Sequence, residues 1–161
     1  MRTALVNAIE QDIIQSIDFE SYSIKMVVQK VARLHGRPIR LTPFPMEKMD
    51  PLLYGCWMSG ESAEYVFFEQ DTAQVHQHHI IMHEQSHILL GHQTFFVEAD
   101  SVASIPLLMR TIARDEREEQ EAEALATALQ LMIVQRVGVQ ALTATSATAA
   151  IWNELTTSLH R

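Results

Sequence analysis

Cysteine occurs once in 161 residues, at Cys56. An internal disulfide is therefore impossible, and such usage suits a reducing compartment. The lone thiol lies among aromatic residues and reads as a small buried hydrophobe, with no visible framework for a covalent nucleophile. Glycine is scarce too, with five residues. None is grouped as a phosphate-cradling loop requires, which argues against nucleotide binding. No apolar run reaches the roughly eighteen residues of a membrane span. Glu10 and Asp12 interrupt the apolar content of the opening segment, and no small-residue cleavage site follows, so a secretory leader is not expected. The expected location is cytoplasmic. Basic charge is also short: 12 Lys and Arg stand against 20 Asp and Glu, a formal charge of -8. That balance, with no basic stripe, disfavours a nucleic-acid partner. Arg33, His35, Arg37 and Arg40 do cluster, and read as a solvated helix end and strand face.

What is present is apolar content, 47% against 20% charged, enough to offset chain entropy in a folded core. The length suits one domain over 1–161, with no repeat or linker to divide it. Leu5, Ile9, Ile13 and Ile17 recur at helical spacing over residues 4–17. Ile24, Val27, Val28, Val31 and Leu34 repeat the pattern over 22–35, before Gly36. Ile39 and Leu41 alternate with Arg40 as a short strand that Pro43 and Pro45 are expected to end. Residues 52–58 and 63–69, separated by Ser59-Gly60-Glu61-Ser62, read as a hairpin. Asp71-Thr72 reads as an N-terminal boundary before a helix running to about Leu90, closed by Gly91. A short helix is expected around Leu107 to Ala113. A long one follows over 116–136, with an acidic start and an Ala/Leu-rich body, ended by Gly138. An Ala/Thr/Ser stretch at 141–150 leads to a last helix through Ile151, Leu155 and Leu159.

Chemistry concentrates in His83-Glu84-Gln85-Ser86-His87. Residues four apart share a helix face, so both imidazoles can address one ion, and zinc accepts such nitrogens readily. Glu84 lies beside the first ligand, placed to reach a water on the metal and take its proton as attack on a carbonyl begins. A catalytic zinc needs a third protein ligand. A third histidine six residues beyond His87 is missing, since Gln93 stands there. His92 is expected at the helix end, where an imidazole suits the dipole.

The third ligand is therefore sought in the acidic helix. Glu119 and Glu123 are one turn apart on the face that carries Ala122, Ala126, Leu129 and Ile133. An inward acid pair requires partners, because unpaired buried carboxylates are costly. Glu119 is the expected third metal ligand and Glu123 the carboxylate that orients a ligand imidazole. Glu118 and Glu123 remain alternatives for the ligand position. Glu116, Glu118 and Glu121 fall on other faces and read as solvated. His76, His78 and His79 read as surface or supporting residues, one of them able to hydrogen-bond a transition-state oxygen. His35 and His160 read as solvated. Manganese or another divalent ion could replace zinc in a two-histidine, one-carboxylate site.

The run from His78 through His83-Glu84-Gln85-Ser86-His87 to Gly91-His92, with Glu119-Gln120-Glu121-Ala122-Glu123-Ala124-Leu125-Ala126 downstream, resembles the ImmA/IrrE-type metallopeptidases. The likeness covers roughly residues 20–137, leaving 138–161 as a helical tail. It implies an α+β, zincin-like domain: a short, mostly antiparallel sheet packed against the HExxH helix and a glutamate-bearing ligand helix, with further helices at both termini. By that likeness His83, His87 and Glu119 match the zinc ligands and Glu84 the general base. Glu123 stands where Asp or Asn is usual, and Gln85-Ser86 where a small or apolar pair is usual. Members cleave a partner regulator, often a helix-turn-helix repressor. The resemblance thus implies one zinc per chain, a separately encoded protein substrate, and a groove where a substrate strand pairs with a sheet edge. A non-catalytic, zinc-stabilised module that sequesters the regulator is the alternative; the base at Glu84 favours hydrolysis.

Overall fold

The recurring apolar positions near the start of the chain become two helices, α1 (Arg2–Gln15) and α2 (Ile24–His35). The computed structural model describes residues 2–15, 17–18, 22–98, 109 and 115–137. Ile24, Val27, Val28 and Val31 form the buried stripe of α2. They meet Ile13, Ile14 and Ile17 in the larger of two core clusters. Gly36 closes α2 at φ 83°, a left-handed conformation that costs a side chain but not glycine.

The strands are β1 (Ile39–Phe44), β2 (Gly55–Gly60), β3 (Glu64–Glu69) and β4 (Phe95–Val97), with a 3-10 turn at Met46–Lys48. Their order is β1-β3-β2-β4. The expected hairpin is present, with β2 antiparallel to β3 and Trp57 opposite Val66. The rest of the sheet corrects the expectation of a mostly antiparallel one. β1 pairs parallel with β3, and β2 pairs parallel with β4, so the sheet is mixed. The cause is path: successive strands alternate in direction, and β3 inserts between β1 and β2. The first and third strands, which run the same way, thereby become neighbours.

Two strand boundaries also differ. Pro43 does not end β1, which continues to Phe44; β1 is an outer strand, where a missing N–H is tolerated. Ser59 and Gly60 complete β2 rather than forming the turn, and the Gly60 N–H donates to the Ala63 carbonyl at 2.9 Å. Cys56 is fully buried with Met46, Met58, Phe67, Val97 and Met109 in the smaller core cluster.

Helix α3 (Gln74–Leu90) is packed between this sheet and the long helix α4 (Glu116–Val137), with α2 also against it. It begins just after the expected Asp71-Thr72 boundary, with the Thr72 hydroxyl 2.8 Å from His76 Nδ1 and no side chain capping the helix. Packing on several sides explains why α3 buries polar residues as well as Ile80, Ile81, Met82 and Ile88. On α4 the buried stripe is Ala122, Leu125, Ala126, Leu129 and Ile133. Alanines at two of these positions let the α3 and α4 axes approach closely. No described helix is long and apolar enough to cross a membrane. The expected helix at 107–113 (Met109 apart), the stop at Gly138, the stretch at 141–150 and the final helix all lie outside the described residues.

Candidate metal centre

The four-residue spacing on α3 sets the rings of His83 and His87 edge to face, with centroids 4.9 Å apart. Their Nε2 atoms face each other at 3.1 Å. Helix α4 brings Glu119 to the same point: Oε2 lies 3.2 Å from His83 Nε2 and Oε1 lies 3.1 Å from His87 Nε2. Among the described residues this trio is the group whose ligand atoms converge as a metal site requires. A tetrahedral ion with bonds of about 2.0–2.1 Å separates its ligands by roughly 3.3 Å. The observed spacings fit that ion.

The hydrogen bonds behind the ligands decide what the trio can do. His83 Nδ1 lies 3.0 Å from Glu123 Oε2. An ionised carboxylate only accepts, so Nδ1 donates and a neutral His83 presents a lone pair at Nε2. A second imidazole nitrogen and a carboxylate face that lone pair. The arrangement favours positive charge at their centre. The His83 pKa shows the same preference. Burial pulls it down, but the hydrogen bonds to Glu119 and Glu123 and the charges of Glu84 and Glu119 outweigh burial, and the net shift is upward.

Glu84 is buried, at 2% exposure, and lines an open cleft of about 260 Å³ together with His83, Glu119 and Glu123. Close packing against β2 positions it. A Cβ added to Gly55 would stand 2.8 Å from Glu84 Oε1 and 2.5 Å from Ile80 Cγ2. Only a glycine at the start of β2 lets α3 come this near. Leu52 and Tyr54 supply exposed apolar surface on the cleft wall.

Several expectations about individual residues require correction. Glu119 and Glu123 do not sit inside the core; their side chains are 32% and 54% exposed, at the mouth of the cleft. Partners across the helix pair hold them, rather than burial. Glu118 is not in the converging set, and Glu123 backs His83 while also bonding His79 Nε2 at 3.0 Å. His92 does not merely finish the helix. It is buried, with Nδ1 2.9 Å from His87 Nδ1 and Nε2 3.1 Å from Glu121 Oε2. Glu121, expected to be solvated, is therefore engaged with the centre. The only sequence signal for this pair is the single histidine, His92, shortly after the motif.

The other histidines have defined places as well. His78 is buried, 2.5 Å from the Tyr22 hydroxyl through Nε2. Burial, then the charge of His79, lower its pKa from 6.5 to about 4. His79 meets Gln130 Oε1 through Nδ1 at 2.7 Å. His76 stacks edge-on against Tyr54 beside the cleft. His35 and Arg37 are not simply solvated, since both reach Glu64 Oε1 at 3.2 Å. His160 lies outside the described residues.

No family model, curated protein or solved structure matches the chain. Its own geometry carries the reading: a short mixed sheet packed on helices, two of which bear a His-His-Glu cluster with the capacity to bind a divalent metal such as zinc. This is a zincin-like α+β arrangement with a centre of metallopeptidase type in general terms.

Proposed function

We propose that the protein is a zinc-dependent endopeptidase of the ImmA/IrrE type, acting in the cytoplasm on a separately encoded helix-turn-helix regulator. The observation that carries the peptidase reading is the convergence of His83 Nε2, His87 Nε2 and the Glu119 carboxylate beside a buried glutamate in an open cleft. His83, His87 and Glu119 would hold the ion. When bound, zinc supplies Lewis acidity toward water and a carbonyl oxygen. Glu123 keeps the proton on His83 Nδ1 and fixes that ring. The Glu84 carboxylate takes a proton from a water in the cleft and returns it to the amine nitrogen of the departing peptide. Leu52 and Tyr54 offer apolar contact to an extended substrate segment. The regulator as substrate and the single zinc follow from the sequence resemblance, and the lone Cys56 suits the reducing compartment in which such regulators work.

The test is Glu84→Gln in the full chain, with zinc content measured and cleavage of the candidate regulator followed by mass spectrometry. The variant should retain one zinc per chain while its turnover falls about 10²–10⁴-fold. Undiminished cleavage would remove Glu84 from the chemistry and overturn the mechanism. Relief of repression that persists without cleavage would establish sequestration instead.

A further inference from the structure

We infer that His92 is a positioning residue for the metal centre, holding His87 in one tautomer and coupling it to the carboxylate of Glu121. This rests on the His83/His87/Glu119 centre proposed above.

Backbone geometry places His92. Gly91 adopts φ 66° after the last turn of α3. The Gly91 N–H then donates to the Ile88 carbonyl at 3.2 Å, and the His92 N–H to the His87 carbonyl at 3.1 Å. These two bonds form a Schellman closure, which folds the second residue after the helix back onto the residue five positions earlier. Residue 92 is thus tied to residue 87 by its backbone before its side chain is considered. The ring then adds the Nδ1–Nδ1 contact of 2.9 Å.

That contact has one consistent direction when Nε2 of His87 faces an ion. A neutral imidazole that presents a lone pair at Nε2 carries its hydrogen at Nδ1. His87 Nδ1 donates, so His92 Nδ1 accepts. His92 must then carry its own hydrogen at Nε2, where Glu121 Oε2 accepts it at 3.1 Å. The other Glu121 oxygen receives the Arg117 Nε–H at 3.0 Å. The donor and acceptor directions along the run are mutually consistent. A metal-binding imidazole is ordinarily backed by a carboxylate, a carbonyl or water. His83 follows that habit through the exposed Glu123, whereas His87 is backed by a buried imidazole with the carboxylate one link behind.

The measurement is zinc affinity of the full chain, by competition with a chromophoric chelator, alongside 15N NMR of its histidines in the zinc-loaded form. His92→Leu should weaken zinc binding about 10–100-fold. His92→Asn returns an acceptor oxygen near the Nδ1 position and should recover much of that loss. Glu121→Gln should weaken binding by less than His92→Leu. The spectra should show hydrogen on Nδ1 of His87 and on Nε2 of His92, which a merely space-filling residue would not require. Unchanged affinity in His92→Leu, or hydrogen on Nδ1 of His92, overturns the inference. Should His92→Leu fail to fold, the spectra of the unsubstituted chain decide. Zinc binding with the expected losses but without hydrolysis supports the inference and overturns the peptidase reading. Failure of the unsubstituted chain to bind zinc overturns both.

Discussion

Two clusters among the described residues join imidazole to carboxylate near the two ends of β2, and they differ in how their donors and acceptors balance. At the Ser59 end, the buried Glu64 receives Trp57 Nε1 at 2.6 Å, Ser59 Oγ at 3.0 Å, and His35 and Arg37 at 3.2 Å. Its oxygens are supplied with hydrogen from within the fold. Near Gly55, two imidazole nitrogens and the Glu119 carboxylate converge as acceptors, with the hydrogens of both rings directed elsewhere. The first cluster is complete as it stands. The second calls for a cation. An excess of converging lone pairs, rather than the mere presence of histidine and glutamate, marks the place for a ligand.

The strongest way to break that comparison is to remove one carboxylate from each cluster. Glu64→Leu leaves the buried Trp57 N–H without its acceptor, whereas the part-exposed Arg37 keeps the Gly60 carbonyl, and should cost about 1–3 kcal/mol while zinc uptake is unchanged. Glu119→Leu should abolish stoichiometric zinc binding yet alter the metal-free chain by about 1 kcal/mol or less, because its carboxylate is part-exposed. Denaturant midpoints in chelator, paired with zinc analysis, read both effects. Equal destabilisation by the two changes would mean that the clusters are both structural.

A second contrast lies along α3, where one imidazole is drawn toward charge and another is kept neutral. The His78 pKa is lowered from 6.5 to about 4. The unfolded chain therefore binds the proton first, and this residue's stabilising contribution is present above pH 6.5 and lost as pH falls toward 4. The full loss is up to about 3 kcal/mol. His83 in the metal-free chain acts in the opposite sense: its raised pKa adds stability below 6.5 that disappears as pH rises through the folded value. In chelator, His78→Gln should flatten the decline between pH 6.5 and 4. A decline as steep as before would place its origin elsewhere.

These contrasts were unevenly legible in the sequence. The α3 motif was readable because four-residue spacing and a closing glycine specify a helix face with no knowledge of its surroundings. The acidic face of α4 was readable for the same reason, although its exposure was misjudged: periodicity gives direction around an axis, not depth. The mixed sheet was not readable, because nothing local states that β3 returns between β1 and β2. Glu64 carried no signal, since its four partners come from α2's end, the loop after it, and β2. Nor did Glu121, half a helix turn from the ligand face; it meets the centre only because the chain folds back at Gly91.

Gly55 tests how tightly the metal end of β2 is built. In Gly55→Ala the new methyl meets Ile80 Cγ2 at 2.5 Å and Glu84 Oε1 at 2.8 Å, so at least one of them must shift. Overpacking of this kind costs about 1–3 kcal/mol. Displacement of the base should lower turnover by up to about 100-fold, while zinc affinity holds because no ligand is touched. Steady-state kinetics on a cleaved peptide, with zinc content as control, separates the two. Full turnover in a folded variant would show that the site does not depend on Glu84 resting against β2.

The smallest effect is expected at Arg117, and its smallness is informative. Its guanidinium completes the run behind His87 by pairing with Glu121 one helix turn away, but the side chain is 79% exposed. Water and salt screen such a pair, so Arg117→Ala should change stability by about 0.5 kcal/mol or less. Zinc affinity should move by about twofold or less, and the change should shrink at high ionic strength. The His92–Glu121 contact is shielded from that screening, because both side chains are mostly buried. A salt-insensitive loss at Arg117 as large as that expected for His92→Leu would mean that the carboxylate depends on the arginine for its orientation. Affinity near that of the unsubstituted chain would place the boundary between structure and solvent at Glu121, with the ordered part of the run ending there.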